Sequence, residues 1–388
     1  MKKPPLLKVI LVYHQTNLRH VIQHELALQK AFEYLQPDRS TSDLDEVPDV
    51  WQRVSVKTIT QEAEWLAEEQ EDQGTAPTLY VVIVTEQLVN DPPMRAALDL
   101  IASFISETSK NVNSDLLIYS LSDIALSDLP PVFAKKQVKP NAALGENRIA
   151  PHKLGLLALH RARLLLGETR ESDKLKMFIS HAKLDGIFFA QSLKQSIESI
   201  PELKAWYDAE DLTSGSDFLA EITAASGSCL FIAVRTNAYE QRKICREEFM
   251  TAMLHGVPIV VVDALMQPIS DASALPFSSV PNVRIPDGNT YRVLLVALRE
   301  HLKLLLMRAS AVEKSGAVSN FRVWPRLPSP AACKCAWPGV NPTIHFWLIP
   351  RALCYDAEFL EMRDWLTSLN SGIVMDHLET FRPAPLIS

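Results

Sequence analysis

Four stretches decide the fold: MFISHAKLD (Met177–Asp185), AWYDAEDLTSGSDF (Ala205–Phe218), LFIAVRTNAYEQRKICREE (Leu230–Glu248) and GVPIVVVD (Gly256–Asp263). Each carries a short apolar strand that runs into polar residues. Helical stretches alternate with the strands. That alternation predicts a parallel sheet covered by helices, with its site at the carboxyl ends of the strands.

Upstream, the same signals repeat. Residues 7–13 (LKVILVY) read as a buried strand, and His20–Tyr34 as an amphipathic helix. Gln36–Val50 is polar with two prolines and reads as a loop; Thr60–Glu71 is Glu-rich and reads as a helix. Leu79–Val84 and Leu116–Ser120 are two more strands, with a helix over Pro93–Ile105 between them. Gly155–Leu166 is helical and stops at Gly167. The polar residues 168–174 read as a linker between two α/β domains, 1–167 and 175–310.

The two halves are alike in pattern. KVILVYH (Lys8–His14) matches KMFISH (Lys176–His181) in residue type and in its terminal His. Aligning Thr85 with Thr236 puts Arg95 on Arg246 and Ala97 on Glu248. Such likeness fits an internal duplication. It also fits the general similarity of any two strand-loop-helix units.

Beyond Asp263 the chain loosens. Met266–Pro286 is rich in Ser and Pro, and Asn289–Ala309 reads as a long helix. Residues 311–388 read as a Pro-rich linker, Ser319–Pro342, and a short tail with one amphipathic helix over Asp356–Leu369.

The four opening stretches resemble the Toll/interleukin receptor (TIR) domain of the bacterial, NAD-cleaving kind. The resemblance covers about a quarter of the chain and keeps the family's motif order. It implies a flavodoxin-like parallel-sheet TIR domain, here preceded by a degenerate TIR-like or Rossmann-like domain. It also implies cleavage of the bond between nicotinamide and ribose in NAD, in a cytoplasmic stress or anti-phage effector. Association through TIR domains is expected with it. NAD is then the substrate, and no cofactor or metal is expected. The alternative that the same resemblance allows is a noncatalytic TIR–TIR scaffold.

The residues suit that chemistry. The leaving group is a pyridinium that departs as a neutral base, so the pair of carboxylates used in ordinary glycoside hydrolysis is not required. One carboxylate suffices to stabilise the developing oxocarbenium charge. The family places it three residues after a Cys, which here selects Glu248 after Cys245. Its rival Glu247 points about 100° away on the same helix.

The family also has a Trp before that Cys, where this chain has Ile244; Tyr239 or Trp206 would then have to supply an aromatic face. Ser180, His181 and Lys183 follow the first strand of the domain, where the family surrounds the dinucleotide with polar groups. Asp208, Gly215 and Phe218 mark the loop after the second strand, which the resemblance casts as the gate of the cleft.

Composition excludes other classes. The net charge of -7 argues against nonspecific nucleic-acid binding. Five cysteines in 388 residues do not make a disulfide scaffold, and Cys333-Lys334-Cys335 is too closely spaced for a zinc knuckle. There is no GxGxxG and no P-loop. His20 and His24 stand at i, i+4 without an HExxH, which suits a half-exposed helix face better than a metal site. The basic, apolar start (MKKPPLLKVILVYHQ) reads as a first strand rather than a signal peptide, and no stretch has the length of a membrane span.

Overall fold

A computed structural model describes residues 5–33, 53–60, 76–107, 114–121, 129–136, 150–167, 175–200, 203–207, 229–265, 275–285, 288–315, 321–329, 345–349, 356–368, 373–378 and 380–381. The chain divides into two units, Met1–Glu168 and Thr169–Ser388.

In the first unit the apolar runs become β1 (Leu7–Val12), β3 (Thr78–Val84) and β4 (Ser114–Ser120). A further strand, β2 (Val54–Ile59), completes a parallel sheet of order β2-β1-β3-β4. Every residue of β1 and β3 is buried, as expected of central strands covered on both faces. Each such aliphatic side chain contributes roughly 1.5–3 kcal/mol. By contrast β2 is an edge strand with Lys57 and Thr58 exposed, and its mixed pattern gave no strand signal.

The helices of this unit are α1 (Leu18–Phe32), α2 (Glu86–Asn90), α3 (Pro92–Glu107), α4 (Pro131–Lys136) and α5 (Pro151–Leu166). Thr85 caps α2 by accepting from the Leu88 N–H. Pro92 opens α3, where its missing N–H costs nothing. At Gly155 a Cβ would lie 3.0 Å from the Ala27 carbonyl oxygen, so glycine lets α5 approach α1. The loop expected over Gln36–Val50, the helix expected after Thr60 and the linker 168–174 lie outside the described residues.

The second unit holds β5 (Leu175–His181), β6 (Leu203–Tyr207), β7 (Cys229–Arg235), β8 (Ile259–Asp263) and β9 (Asn282–Arg284) in a parallel sheet of order β6-β5-β7-β8-β9. Its helices are α6 (Ile187–Glu198), α7 (Lys243–Leu254) and α8 (Tyr291–Ser315). The expected flavodoxin-like order is therefore present. The four strands of the first unit follow the same order as β6-β5-β7-β8. Phe178, Phe231, Phe249, Phe277 and Tyr239 form a run of touching rings beneath α7, with centroids 5.0–6.3 Å apart.

The C-terminal region differs from the expected linker and tail. Here β10 (Phe321–Val323), β11 (His345–Ile349) and β12 (Ile373–His377) form a third parallel sheet, with α9 (Asp356–Ser368) packed on it. Trp324, Trp347, Phe359 and Leu366 fill its core. The sheet docks on the end of α7, which closes with two bonds: Gly256 N–H to Met253 O and Val257 N–H to Ala252 O. Gly256 has φ +65, a conformation that favours glycine. Arg322 donates to the His255 carbonyl and Arg326 to the Val257 carbonyl, at 2.9 and 3.0 Å. Burial, then the Arg322 charge, hold the His255 imidazole below its ordinary pKa.

Among the described residues no helix is long and apolar enough to cross a membrane.

Candidate functional site

The site is built on α7. Cys245, Phe249 and Ala252 recur at i, i+4 and i+7 and are buried, so they define the face that α7 turns to the sheet. Glu248 stands at i+3 in that stripe and is carried inward with it. Only 8% of its surface remains exposed. Glu247, one residue earlier, is exposed and pairs with Lys243 at 3.5 Å across one helical turn.

The carboxylate meets the end of β5. Ser180 Oγ donates to Glu248 Oε2 at 2.7 Å, and Ser180 is fully buried. Tyr239 OH lies 2.8 Å from the same Ser180 oxygen. Since the serine proton is committed to Glu248, Ser180 accepts from Tyr239. The alternative acceptor for the phenol, the Cys245 carbonyl, is farther at 3.4 Å. Burial pushes the Tyr239 phenol well above its ordinary pKa, although the Ser180 bond opposes the shift. The phenol therefore stays neutral and keeps its proton to donate. Cys245 Sγ in turn donates to the His181 carbonyl at 3.4 Å, which ties α7 to β5 a second time.

A loop bond frames this centre. Asp185 accepts from Thr236 Oγ1 at 2.6 Å and from the Ala238 N–H at 2.9 Å. It joins the chain after β5 to the chain after β7. Sequence reasoning missed Asp185; the available signal was an acid a few residues past one strand and a Thr just past its neighbour. Glu240 pairs with Arg235 at 3.2 Å, and its carbonyl accepts from Arg246 at 2.6 Å.

The candidate residues divide into groups. Ser180, Tyr239 and Glu248 are brought together. His181 ends β5 and is buried beside them, whereas Lys183 is exposed on the following turn. Ile244 stands on the first turn of α7 with 57% of its surface exposed. Tyr239 is fully buried with its ring against Phe277, so it supports the centre from beneath and offers no open aromatic face. Asp208, Gly215 and Phe218, and the Trp206 side chain, lie outside the described residues. Among the described residues no group of His, Cys, Asp or Glu is placed to hold a metal.

Sheet register carries the comparison of the two units further. Lys8 pairs with Thr78 as Lys176 pairs with Cys229. Counting along the strands from those rungs puts Val12 on Ser180 and Tyr13 on His181. The matched terminal His of the sequence alignment is thus corrected: His14 falls one residue beyond, on Ala182. On the other strand Thr85 falls on Thr236, which puts Leu88 on Tyr239 and Ala97 on Glu248, and both α3 and α7 begin at matching positions. Asn17 falls on Asp185, and it too bonds the matching threonine: Asn17 Nδ2 donates to Thr85 Oγ1 at 2.8 Å.

Residues 177–282 match the family model of the TIR domain, which makes this a chain with a TIR domain in its second unit. No curated protein matches the chain.

Proposed function

We propose that the chain is an NAD glycohydrolase whose reaction centre is Glu248. The observation that carries this reading is the placement of Glu248: an inward-facing carboxylate, held by a buried serine, at the carboxyl ends of parallel strands. The reaction would take NAD and water to nicotinamide, ADP-ribose and a proton. As the ribose–pyridinium bond breaks, its electrons go to the pyridinium nitrogen and nicotinamide leaves neutral. Positive charge builds on the ribose, and the Glu248 carboxylate stabilises it. Water then adds to the ribose carbon and releases its proton to solvent.

A second reading, a noncatalytic TIR–TIR scaffold, has its own support. Ile244 replaces the aromatic residue that the family resemblance leads one to expect. Leu184, Ile187 and Phe188 are also exposed together at the start of α6, with Leu184 and Phe188 each more than 70% open. Either reading fits a defence or stress effector that works by self-association.

Incubation of the purified chain with NAD, across a hundredfold range of protein concentration, tests the choice. Nicotinamide release that rises in specific activity with concentration and vanishes in Glu248→Gln supports the enzyme. Self-association without release at any concentration supports the scaffold.

A further inference from the structure

We infer that Tyr239 and Ser180 act in series as positioning residues for Glu248, a buried two-bond relay that aims its carboxylate and favours its charged form. The inference rests on the enzymatic reading above, but its evidence is geometric.

Three features support it. The first is direction. Ser180 has one proton and gives it to Glu248 Oε2 at 2.7 Å, so its 2.8 Å contact with Tyr239 must be an acceptance. A serine that accepts a bond is a stronger donor to the carboxylate. The second is rigidity. Ser180 lies within β5, paired to Ala233, and both Ser180 and Tyr239 are fully buried. The Tyr239 ring is fixed against Phe277, which packs on Phe249 one residue after Glu248. The relay and its carboxylate therefore share one aromatic foundation. The third is the first unit, where the matching positions are Val12, Leu88 and Ala97, all buried and all apolar. With no carboxylate at Ala97, neither hydroxyl is present either. The acid and the two hydroxyls thus occur together in one unit, and apolar residues take all three matching positions in the other.

Tyr239→Phe keeps the ring and removes the hydroxyl; Ser180→Ala removes the donor itself. We expect Ser180→Ala to lower kcat about 10–100-fold with KM within about twofold, the pattern of a lost interaction specific to the transition state. Tyr239→Phe should lower kcat less, by about 3–10-fold. The double variant should be no worse than Ser180→Ala, because the tyrosine acts only through the serine. The acid limb of the pH–rate profile should move to higher pH in both, since a lost donor disfavours the carboxylate form.

A carboxyl-carbon NMR titration of Glu248 in the full chain, assigned by the signal lost in Glu248→Gln, provides a readout without turnover. Its midpoint should rise in Ser180→Ala and, by less, in Tyr239→Phe. If wild type releases no nicotinamide while the midpoints move as stated, the NAD reading fails and the relay stands. Unmoved midpoints, or multiplicative loss of kcat in the double variant, overturn the relay.

Discussion

The two units of this chain are built alike and differ where the chemistry would lie. In both, four parallel strands take the same order, and a short loop helix precedes a longer helix that begins at a matching position. Both tie the loop after the first strand to a threonine after the third-in-sequence strand, Asn17 to Thr85 and Asp185 to Thr236. Met94, Leu98 and Ile101 on α3 repeat the buried stripe of Cys245, Phe249 and Ala252 on α7. Yet Val12, Leu88 and Ala97 stand where the second unit has Ser180, Tyr239 and Glu248. The scaffold needs the stripe and the loop bond; it does not need the acid. A buried carboxylate with its two hydroxyls is a costly way to fill a core that three apolar side chains fill equally well. Its presence in one unit alone is the clearest difference between the two cores.

The sharpest way to break the comparison is to make the second unit like the first. Glu248→Ala copies the residue at Ala97. Nicotinamide release should fall by at least about 100-fold, the usual scale for losing one preorganised electrostatic group. Glu247→Gln, on the exposed face, should keep most activity. Residual release in Glu248→Ala that disappears when Ala97 or His14 is also changed would reveal a working centre in the first unit and end the contrast.

The converse substitution tests stability. Ala97→Glu places a carboxylate at a buried position, with apolar Val12 and Leu88 at the positions that match Ser180 and Tyr239. A lone buried charge of this kind should cost about 3–5 kcal/mol and lower the melting temperature of the first unit by many degrees. Adding Val12→Ser should recover part of that loss, because it restores the donor that Ser180 provides. Ala97→Glu melting as wild type would mean that the position is open to water, and that the register match to Glu248 does not describe the environment.

Legibility from sequence followed burial. The central strands β1, β3, β5, β7 and β8 were readable because covered strands are continuous apolar runs. The edge strands β2 and β9 were not, although the apolar edge strand β4 was. In β2 exposed Lys57 and Thr58 broke the run, and β9 has only three residues in a Ser- and Pro-rich stretch. The C-terminal sheet escaped for the same reason: strands of three to five residues between prolines carry too little periodicity to detect.

At the site, Glu248 was singled out by a spacing to Cys245 that the family resemblance supplies; its place in the buried stripe of α7 is visible only in the structure. The roles of Ser180 and Tyr239 were not legible, because a hydroxyl facing a ligand and one facing a carboxylate look the same in sequence. Only the full burial of both side chains assigns them to the interior.

The smallest expected effect concerns the shared loop bond, and it should be unequal in the two units. Asp185 uses both carboxylate oxygens, one for the Thr236 hydroxyl and one for the Ala238 N–H. Asp185→Asn leaves a single acceptor oxygen and puts an NH₂ against one of two donors. With Oδ1 kept on the backbone N–H, which cannot turn, the NH₂ faces Thr236 and the hydroxyl turns to accept from it. A neutral bond replaces the carboxylate's and the threonine proton loses its acceptor, at about 0.5–1 kcal/mol, the lower end applying because Asp185 is itself exposed. Asn17 makes a different pair: its amide donates to Thr85 Oγ1 and, at 3.3 Å, to Gln87 Oε1. In Asn17→Asp the Thr85 hydroxyl can reverse and donate, while still accepting from the Leu88 N–H. The Gln87 side chain is able to flip and present its own NH₂. Both partners adapt, so the cost should stay below about 0.5 kcal/mol, within the usual range for a surface substitution. Thermal melts of the two single variants resolve the difference. Equal losses would mean that the loop bonds, though matched in position, are held by backbone strain rather than by the donors and acceptors described, and the likeness of the two units would then stop at the strands.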